Sequence, residues 1–389
     1  MFYHDFQGKK LSALGFGCMR LPTCPDGSVD EATTRKMIHT AMENGVNYFD
    51  TAWPYHDGAS ERVVGKILQE FPRDSFYLAD KFPGHQIASS YDPAATFETQ
   101  LKRCGVEYFD FYLMHNVYEK SIHVYKDPRW GILDYFREQK RLGRIKHLGF
   151  SCHGRLDNIK EFLDFCGEDM EFCQLQINYL DWTLQDAKEK LELLTSYGIP
   201  VWVMEPVRGG KLASLHPVAE QQLKALRPDE SIPAWAFRFL QGLPNIGVTL
   251  SGMSNMDHVL DNLRTYESCK PLTPEENQLL LQIAETLKNS IPCTACRYCC
   301  SGCPMGLDIP MLLETFNEIR YAPVTNSILR IEALPEDKKP SACIACGKCT
   351  KVCPQNIDIP KAMADFTEAM KKIPSWAEVC RQREAAQKP

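Results

Sequence analysis

Eight short apolar segments separated by amphipathic ones, several of which close on a glycine, predict an α/β fold: a closed (β/α)8 TIM barrel over residues 1–270. Short strands that are apolar on both faces belong to a parallel sheet covered by helices. Eight such units in about 250 residues match a closed barrel in size. The open, doubly wound alternative needs a glycine-rich nucleotide loop after its first strand. Where Gly15-Phe-Gly17 would be completed by a third glycine, the chain has Arg20. A cysteine-rich stretch from Cys293 onward falls outside the barrel and predicts a second, small domain.

Taken in order, residues 2–10 turn about Gly8 and predict a small hairpin, followed by a first barrel strand at 11–19. Asp30 opens an amphipathic helix, 30–44, that Gly45 ends as a C-cap. A strand follows at 46–50, a helix at 60–70 and a strand at 76–81. Next come a helix at 93–104 closed by Gly105, a strand at 109–115, a helix at 132–142 ended by Gly143, and a strand at 145–151. The second half repeats the alternation: helix 156–166, strand 171–178, helix 184–197 capped by Gly198, strand 201–204, helix 232–240, strand 246–251, helix 256–266. Residues 271–292 contain Thr-Pro-Glu-Glu and read as a capped helical linker. The cysteine-rich domain takes 293–360, and 361–389 is expected to be a helical tail.

With 44% hydrophobic and 24% charged residues, the chain lies in the ordinary globular range. A net charge of −6 and a pI near 6.0 argue against nucleic acid as a partner, because phosphate-backbone affinity comes from clustered Lys and Arg. No basic stretch followed by an apolar one opens the chain, and no run is long and apolar enough to span a bilayer. A cytoplasmic location without a membrane partner is therefore expected. Seventeen cysteines in such a protein point to metal or cluster ligation rather than disulfides, and nine of them fall between Cys293 and Cys353.

In a barrel the reactive groups come from the C-terminal ends of the strands. Those ends carry Asp50 with Tyr55 just beyond it, Lys81, and His115. Singly, each has a simpler reading: a satisfied histidine, a rim salt bridge, a packed tyrosine. As an ordered set they resemble the aldo-keto reductase family, in Asp50-Thr-Ala-x-x-Tyr55, in Lys81 after Phe-Tyr-Leu-Ala-Asp, and in His115 of Asp-Phe-Tyr-Leu-Met-His. Gly149-Phe-Ser151 and Gln176 of Gln-x-Asn-Tyr extend the match. The resemblance implies reduction of a carbonyl on a small organic substrate, or the reverse, with hydride from NADPH or NADH. The alkoxide so formed needs a proton, and free tyrosine, with a pKa of about 10, is a poor acid at neutral pH. A Lys81 ammonium is expected to lower that pKa, and Asp50 to hold Lys81 charged and oriented, with Tyr55 the acid. His115, by the resemblance, orients the carbonyl oxygen.

The same resemblance places Gly17, Cys18 and Met19 beside the cofactor, Ser151 and Gln176 on the nicotinamide carboxamide, and Met204 where an aromatic residue usually stacks under the nicotinamide. Cys152 stands where an asparagine is usual. Ser251, Gly252, Ser254, His258 and Asn262 fall in a loop and helix start similar to the one that binds the adenosine phosphate. Ser254 and His258 occupy the places of basic residues that would grip a 2′-phosphate, so NADH is open as well as NADPH. The loop 116–131, with Tyr118, His123, Tyr125 and Trp130, is expected to line the pocket and to favour an aromatic or cyclic substrate.

Cys293-x2-Cys296-x2-Cys299-x3-Cys303-Pro304 recurs fifty residues later as Cys343-x2-Cys346-x2-Cys349-x3-Cys353-Pro354, and Asp308-Ile-Pro310 recurs as Asp358-Ile-Pro360. This is the spacing of two-cluster bacterial ferredoxins, in which the fourth cysteine of each run ligates the other cluster. It assigns Cys293, Cys296, Cys299 and Cys353 to one 4Fe-4S cluster and Cys343, Cys346, Cys349 and Cys303 to the other. Zinc sites pair Cys-x2-Cys arms instead. An amphipathic stretch at 311–321 makes this resemble a small α-helical dicluster ferredoxin-like domain. Cys300 is a spare thiol, and Cys18, Cys24, Cys104, Cys152, Cys166, Cys173, Cys269 and Cys380 are mostly expected to be buried by packing.

Clusters move one electron and hydride carries two. Besides the nicotinamide reductase, two other functions are therefore open: a reductase fed through the clusters by ferredoxin or another carrier, through a flavin for which no motif is present, and a non-catalytic nicotinamide-binding sensor.

Overall fold

The computed structural model describes residues 1–86, 88, 90–118, 121–287, 291–321, 330–375 and 378. Two compact units divide the chain, residues 1–282 and 283–389.

In the first unit, β1 (Tyr3–Phe6) and β2 (Lys9–Ser12) form an antiparallel hairpin. Its two-residue turn, Gln7 at φ 52° and Gly8 at φ 78°, is the left-handed kind that matches strand twist. Eight parallel strands follow: β3 (Leu14–Gly17), β4 (Tyr48–Asp50), β5 (Tyr77–Phe82), β6 (Phe109–Val117), β7 (Ile145–Cys152), β8 (Cys173–Gln176), β9 (Val201–Met204) and β10 (Ile246–Ser251). Each pairs with the next, and β10 returns to β3 through Thr249 opposite Leu14, closing the barrel. Phe6 of the hairpin joins Tyr48, Phe111, Phe172 and Trp202 in the barrel interior, its ring 5.1 Å from Trp202 in an edge-on contact.

The first predicted strand, 11–19, is divided: residues through Ser12 belong to the hairpin and the barrel begins at Leu14. Ser12 makes the break, because its hydroxyl donates to Leu14 O (2.7 Å) and its amide to Asn47 Oδ1 (2.8 Å), drawing the backbone out of the ladder. The helix expected at 184–197 likewise starts later, at Ala187, since Asp186 sits at φ 53° and interrupts it after a short turn, Asp181–Leu184. Helix Ser121–Lys126 lies in the stretch expected to be a pocket loop, and helix Pro217–Leu226 lies between the strand at 201–204 and the helix at 232–240, where no element was expected. Helix Pro274–Leu287 opens with a reciprocal cap, the Thr273 amide donating to Glu276 Oε2 (2.8 Å) and the Glu276 amide to Thr273 Oγ1 (3.3 Å).

The second unit repeats itself in its backbone as well as in its sequence. Ala295 and Ala345 are left-handed (φ 57° and 53°), as are Arg297 and Gly347 (65° and 70°), and Gly306 and Asn356 (60° and 51°). Asp308 and Asp358 open helices Ile309–Tyr321 and Ile359–Met370. These two helices pack together, and Phe316 stacks on Phe366, also fifty residues away, with centroids 4.9 Å apart and planes 16° from parallel. Of the expected tail, residues 379–389 and with them Cys380 lie outside the described residues. Among the described residues no helix is long and apolar enough to cross a membrane.

Candidate active site and cysteine centre

Strand register brings the predicted residues to one rim. Asp50 ends β4, opposite Gly17 and Ala79; Lys81 in β5 faces Leu113; His115 lies near the end of β6. Ser151, Gln176, Met204 and Ser251 stand at or near the ends of β7, β8, β9 and β10. All are at the C-terminal face, where a barrel's loops converge.

Lys81 is the centre of the group. It is wholly buried, and its Nζ donates to Asp50 Oδ1 (2.6 Å), Thr51 O (2.7 Å) and the Tyr55 hydroxyl (3.4 Å). These contacts use all three ammonium protons. The second oxygen of Asp50 accepts from Gln174 Nε2 at 3.0 Å. Gln174 is a site residue that sequence reasoning missed; the available signal was a polar residue two places before Gln176 in an otherwise apolar strand. Tyr55 is delivered by a turn in which His56, Asp57 and Gly58 are all left-handed (φ 50°, 52° and 80°), with His56 Nε2 accepting from the Leu21 amide at 3.1 Å. Non-glycine residues in that conformation carry strain that surrounding contacts must offset.

Loss of solvent pushes the Asp50 carboxyl up, and the adjacent Lys81 ammonium draws it back down. Burial alone would lower Lys81, but the charges of Asp50 and Tyr55 outweigh it and hold the ammonium above its ordinary value. For Tyr55 the expectation of a lowered pKa is corrected: loss of solvent outweighs the pull of Lys81, and the phenol is pushed up to about 12.

His115 is held from behind. Tyr125, expected to line the pocket, is instead buried, its hydroxyl donating to His115 O at 2.6 Å. The short helix Ser121–Lys126 turns this ring inward, where its hydroxyl finds a buried acceptor. Asn116, at φ 55°, donates its amide to Ser151 Oγ (2.8 Å), tying the ends of β6 and β7 together. The His115 ring stands edge-on to Tyr55 at 6.0 Å and lies 4.2 Å from His85, a second unforeseen rim residue. Burial, then neighbouring His85 and Lys81, depress His115 well below the usual imidazole range; burial, His153 and Lys81 bring His85 to about 4. Both imidazoles are neutral at pH 7, and a neutral imidazole both donates and accepts.

Around this group, Cys18 is wholly buried with its thiol on Phe16 O (3.6 Å), and burial followed by the charge of Asp50 pushes that thiol up; Met19 is exposed. Gly17 packs against the Ser251 carbonyl, which a Cβ there would meet at 3.2 Å. Gln176 donates to Asp181 Oδ2 (2.7 Å), as does Asn178 (2.7 Å), and the buried Arg208 grips the same carboxylate through Nε at 3.1 and 3.2 Å. Ser151 Oγ accepts from the Asn116 amide, and Gln176, besides donating to Asp181, is hydrogen-bonded to His153. Asn262 donates to Ser251 Oγ (2.8 Å). Ser254 and His258 are occupied locally: Ser254 Oγ donates to Arg20 O (2.9 Å) and the Ser254 amide to His258 Nδ1 (3.3 Å). Met204 is partly buried.

In the second unit one apolar cavity is lined by Cys303, Cys343, Cys346 and Cys349, together with Ile309, Ile359 and Met363. This is the set that the crossed spacing assigns to one cluster. Cys299 is raised by burial and then by Cys300, Cys293 and Cys296, which places those thiols around one another. Left-handed residues on both sides of Cys296 and Cys346 fold each run back so that its thiols converge. The cavity of Cys303, Cys343, Cys346 and Cys349, four thiols in an apolar lining, fits an iron–sulfur cluster. Among the described residues no three His, Cys, Asp or Glu are grouped so as to hold a single metal ion. Of the scattered cysteines, Cys18, Cys104, Cys152, Cys166 and Cys173 are buried, Cys24 is intermediate and Cys269 exposed.

Comparison with known proteins agrees with this geometry. Residues 13–285 match the aldo/keto reductase family, and residues 292–357 match the 4Fe-4S dicluster domain. The chain is 31% identical over 212 residues to a probable aldo-keto reductase 1 of Glycine max, a match covering 52% of this chain and 58% of that protein. It is 28% identical over 221 residues to an NADH-specific methylglyoxal reductase of Escherichia coli, covering 52% and 65%. Both matches thus span less than two thirds of the relative. The holo form of an aldo-keto reductase from Bacillus halodurans superimposes with a TM-score of 0.58 at 27% identity, covering 73% of this chain and 96% of that one. The chain belongs to the aldo/keto reductase family, with a 4Fe-4S dicluster domain following its barrel.

Proposed function

We propose that the barrel is an NAD(P)H-dependent oxidoreductase that reduces a carbonyl on a small organic substrate, or oxidises the corresponding alcohol, with Tyr55 as the proton donor. The observation that carries this reading is the Asp50–Lys81–Tyr55 chain beside a neutral His115. When bound, the nicotinamide supplies or accepts the hydride. Ser151 and Gln176 hold its carboxamide side, and His115 donates a hydrogen bond that fixes the substrate oxygen. Tyr55, at about 12, stays protonated across the working range and gives up its proton only as negative charge develops on that oxygen. Lys81 then stabilises the phenolate it leaves, and Asp50, held by Gln174, keeps Lys81 aimed at it. Tyr55→Phe is expected to cut turnover by about 10²-fold or more with dinucleotide binding intact; wild-type turnover in that variant removes Tyr55 from the role.

The cysteines favour a second reading, that the clusters exchange electrons with the barrel's reaction through ferredoxin or another one-electron carrier. We assign Cys293, Cys296, Cys299 and Cys353 to one 4Fe-4S cluster and Cys343, Cys346, Cys349 and Cys303 to the other. The cavity that gathers Cys303 with the second run supports this assignment. Stopped-flow spectra under turnover separate the readings: cluster bleaching in step with substrate turnover supports the exchange, and an unchanging cluster spectrum eliminates it.

A further inference from the structure

We propose that Asp80 is a positioning residue for the reaction: with Gln100 it takes the place of a missing strand along the Lys81 backbone, and through Glu61 and Arg103 it ties Lys81 to the turn that carries Tyr55. This rests on the proposed reductase reading and adds to it the support that sets the separation of Lys81 and Tyr55.

The need for such support is built into the barrel. β4 pairs with β5 only as far as Asp50 opposite Ala79, and beyond that pair the Thr51 amide donates to Ala79 O at 3.0 Å. The chain then leaves the sheet through Trp53 and Pro54 to bring Tyr55 over the rim. Lys81, two residues past Ala79, presents its amide and carbonyl to the same side, where the strand has ended. Buried backbone groups left without partners are costly. Here Asp80 Oδ1 accepts from the Lys81 amide (2.8 Å), and Gln100 Nε2 donates to Lys81 O (3.0 Å). The Lys81 backbone is thus held on both its donor and its acceptor by side chains rather than by a strand.

The same amide reaches further. Gln100 Nε2 also donates to Asp80 Oδ1 (2.8 Å) and to Glu61 Oε1 (3.2 Å), and the Tyr112 hydroxyl, donating to Gln100 Oε1, fixes which end of the amide faces them. Glu61 Oε2 accepts from Arg103 Nη1 at 2.7 Å. The Arg103 guanidinium in turn lies over the Trp53 ring, 4.1 Å from its centroid, and against Gly58, where an added Cβ would meet Nη1 at 3.1 Å. Trp53 and Gly58 bracket Tyr55. Gly65 lets helices Ala59–Leu68 and Pro93–Cys104, which carry Glu61 and Arg103, come this close, because a Cβ there would run into the Cys104 backbone. Glu61, Asp80, Lys81 and Gln100 are all wholly buried. Burial, and then the charge of Glu61, push the Asp80 carboxyl well up, so it serves as a neutral acceptor beside the Lys81 ammonium. Its other oxygen takes the Cys104 thiol at 3.8 Å.

Single-turnover oxidation of bound NADH and NADPH by a panel of aldehydes and ketones, p-nitrobenzaldehyde among them, tests this on the full-length protein. Asp80→Val is expected to slow turnover by about tenfold or more while both dinucleotide dissociation constants stay within about twofold. Asp80→Asn, which keeps a neutral acceptor, is expected to recover most of that loss. In a Lys81→Met background Asp80→Val should cost nothing further, because it acts through Lys81. Glu61→Gln combined with Arg103→Met removes both charges of the pair; it is expected to show the same dependence on Lys81 and replaces Asp80→Val should that variant fail to fold. The inference is overturned if the folded variants keep turnover within about twofold of wild type, or if they lose as much with Lys81→Met as with Lys81 in place, the behaviour of a merely structural residue. Wild-type turnover in Lys81→Met, or a wild type that reduces none of the panel, overturns the reductase reading itself, and with it the inference.

Discussion

Replacing Lys81 by methionine removes the charge on which the proposed acid depends, and the structure sets the size of the effect. Two unit charges at the 3.4 Å between Lys81 Nζ and the Tyr55 oxygen, at an effective dielectric of about 20, interact by roughly 5 kcal/mol. With about half of the phenolate charge developed in the transition state, some 2–3 kcal/mol is lost, and turnover falls by roughly 10²-fold. Stability falls as well, because Asp50, 4% exposed, keeps only Gln174 as a partner. Without Lys81 only the Gln174 hydrogen bond opposes the upward push of burial on Asp50, so the folded variant binds a proton that the unfolded chain releases at lower pH. Stability of the variant therefore declines as pH rises through the carboxylate range and above. Asp50→Asn combined with Lys81→Met is expected to recover that stability without recovering rate. Single-turnover oxidation of the bound reduced dinucleotide, read alongside thermal melts at several pH values, separates the two effects. A folded Lys81→Met protein that keeps more than about a tenth of wild-type turnover refutes the electrostatic role assigned to Lys81.

Gln174→Leu removes the second partner of Asp50 and is expected to reduce turnover by about tenfold with little change in dinucleotide affinity, since it acts through Lys81; unchanged turnover would dismiss it as a positioning residue. His85 titrates at about 4, below the free imidazole, so its contribution to stability is complete above pH 6.5 and lost on acidification toward 4; in melts over that window, His85→Gln should flatten the decline. Tyr55 has the opposite sign: its contribution is complete below pH 10 and lost as pH rises toward 12, so melts of Tyr55→Phe should lose less over that window. Cys303→Ser and Cys353→Ser should each impair a different cluster, lowering iron from about eight toward about four per chain with distinct EPR changes; identical spectra from the two variants would reject the crossed assignment.

The barrel was legible because its information is local. Alternating apolar and amphipathic segments, Asp30 as an N-cap, and Gly45 and Gly105 at helix ends each state their role within a few residues. The rim quartet was legible for a related reason, as each member lies at, near or a few residues beyond the C-terminal end of a strand. Gln174 and His85 escaped because their roles exist only across the barrel: Gln174 meets Asp50 over 124 residues of sequence, and nothing near it announces that partner. The direction of the Tyr55 shift escaped for another reason. Charge partners can be read from residue types, but the solvent lost around a hydroxyl depends on the whole assembled rim. Tyr125 combined both difficulties, being an aromatic in a loop that became a helix and turned its ring inward.

The stacking of Phe316 on Phe366 has a consequence for how the second unit evolves and fails. Residues fifty apart meet each other, as the same residue meets itself across the two-fold axis of a homodimer, so this unit is an isologous pair carried on one chain. Covalent linkage holds the halves at high effective concentration, and a modest shared face suffices to keep them joined. Each half presents Leu307, Ile309 and Phe316, or Ile357, Ile359 and Phe366, to a single common core. Neither half has a core of its own to retreat to. A lesion in one repeat is therefore felt by both, and either repeat expressed alone should seek a second copy of itself.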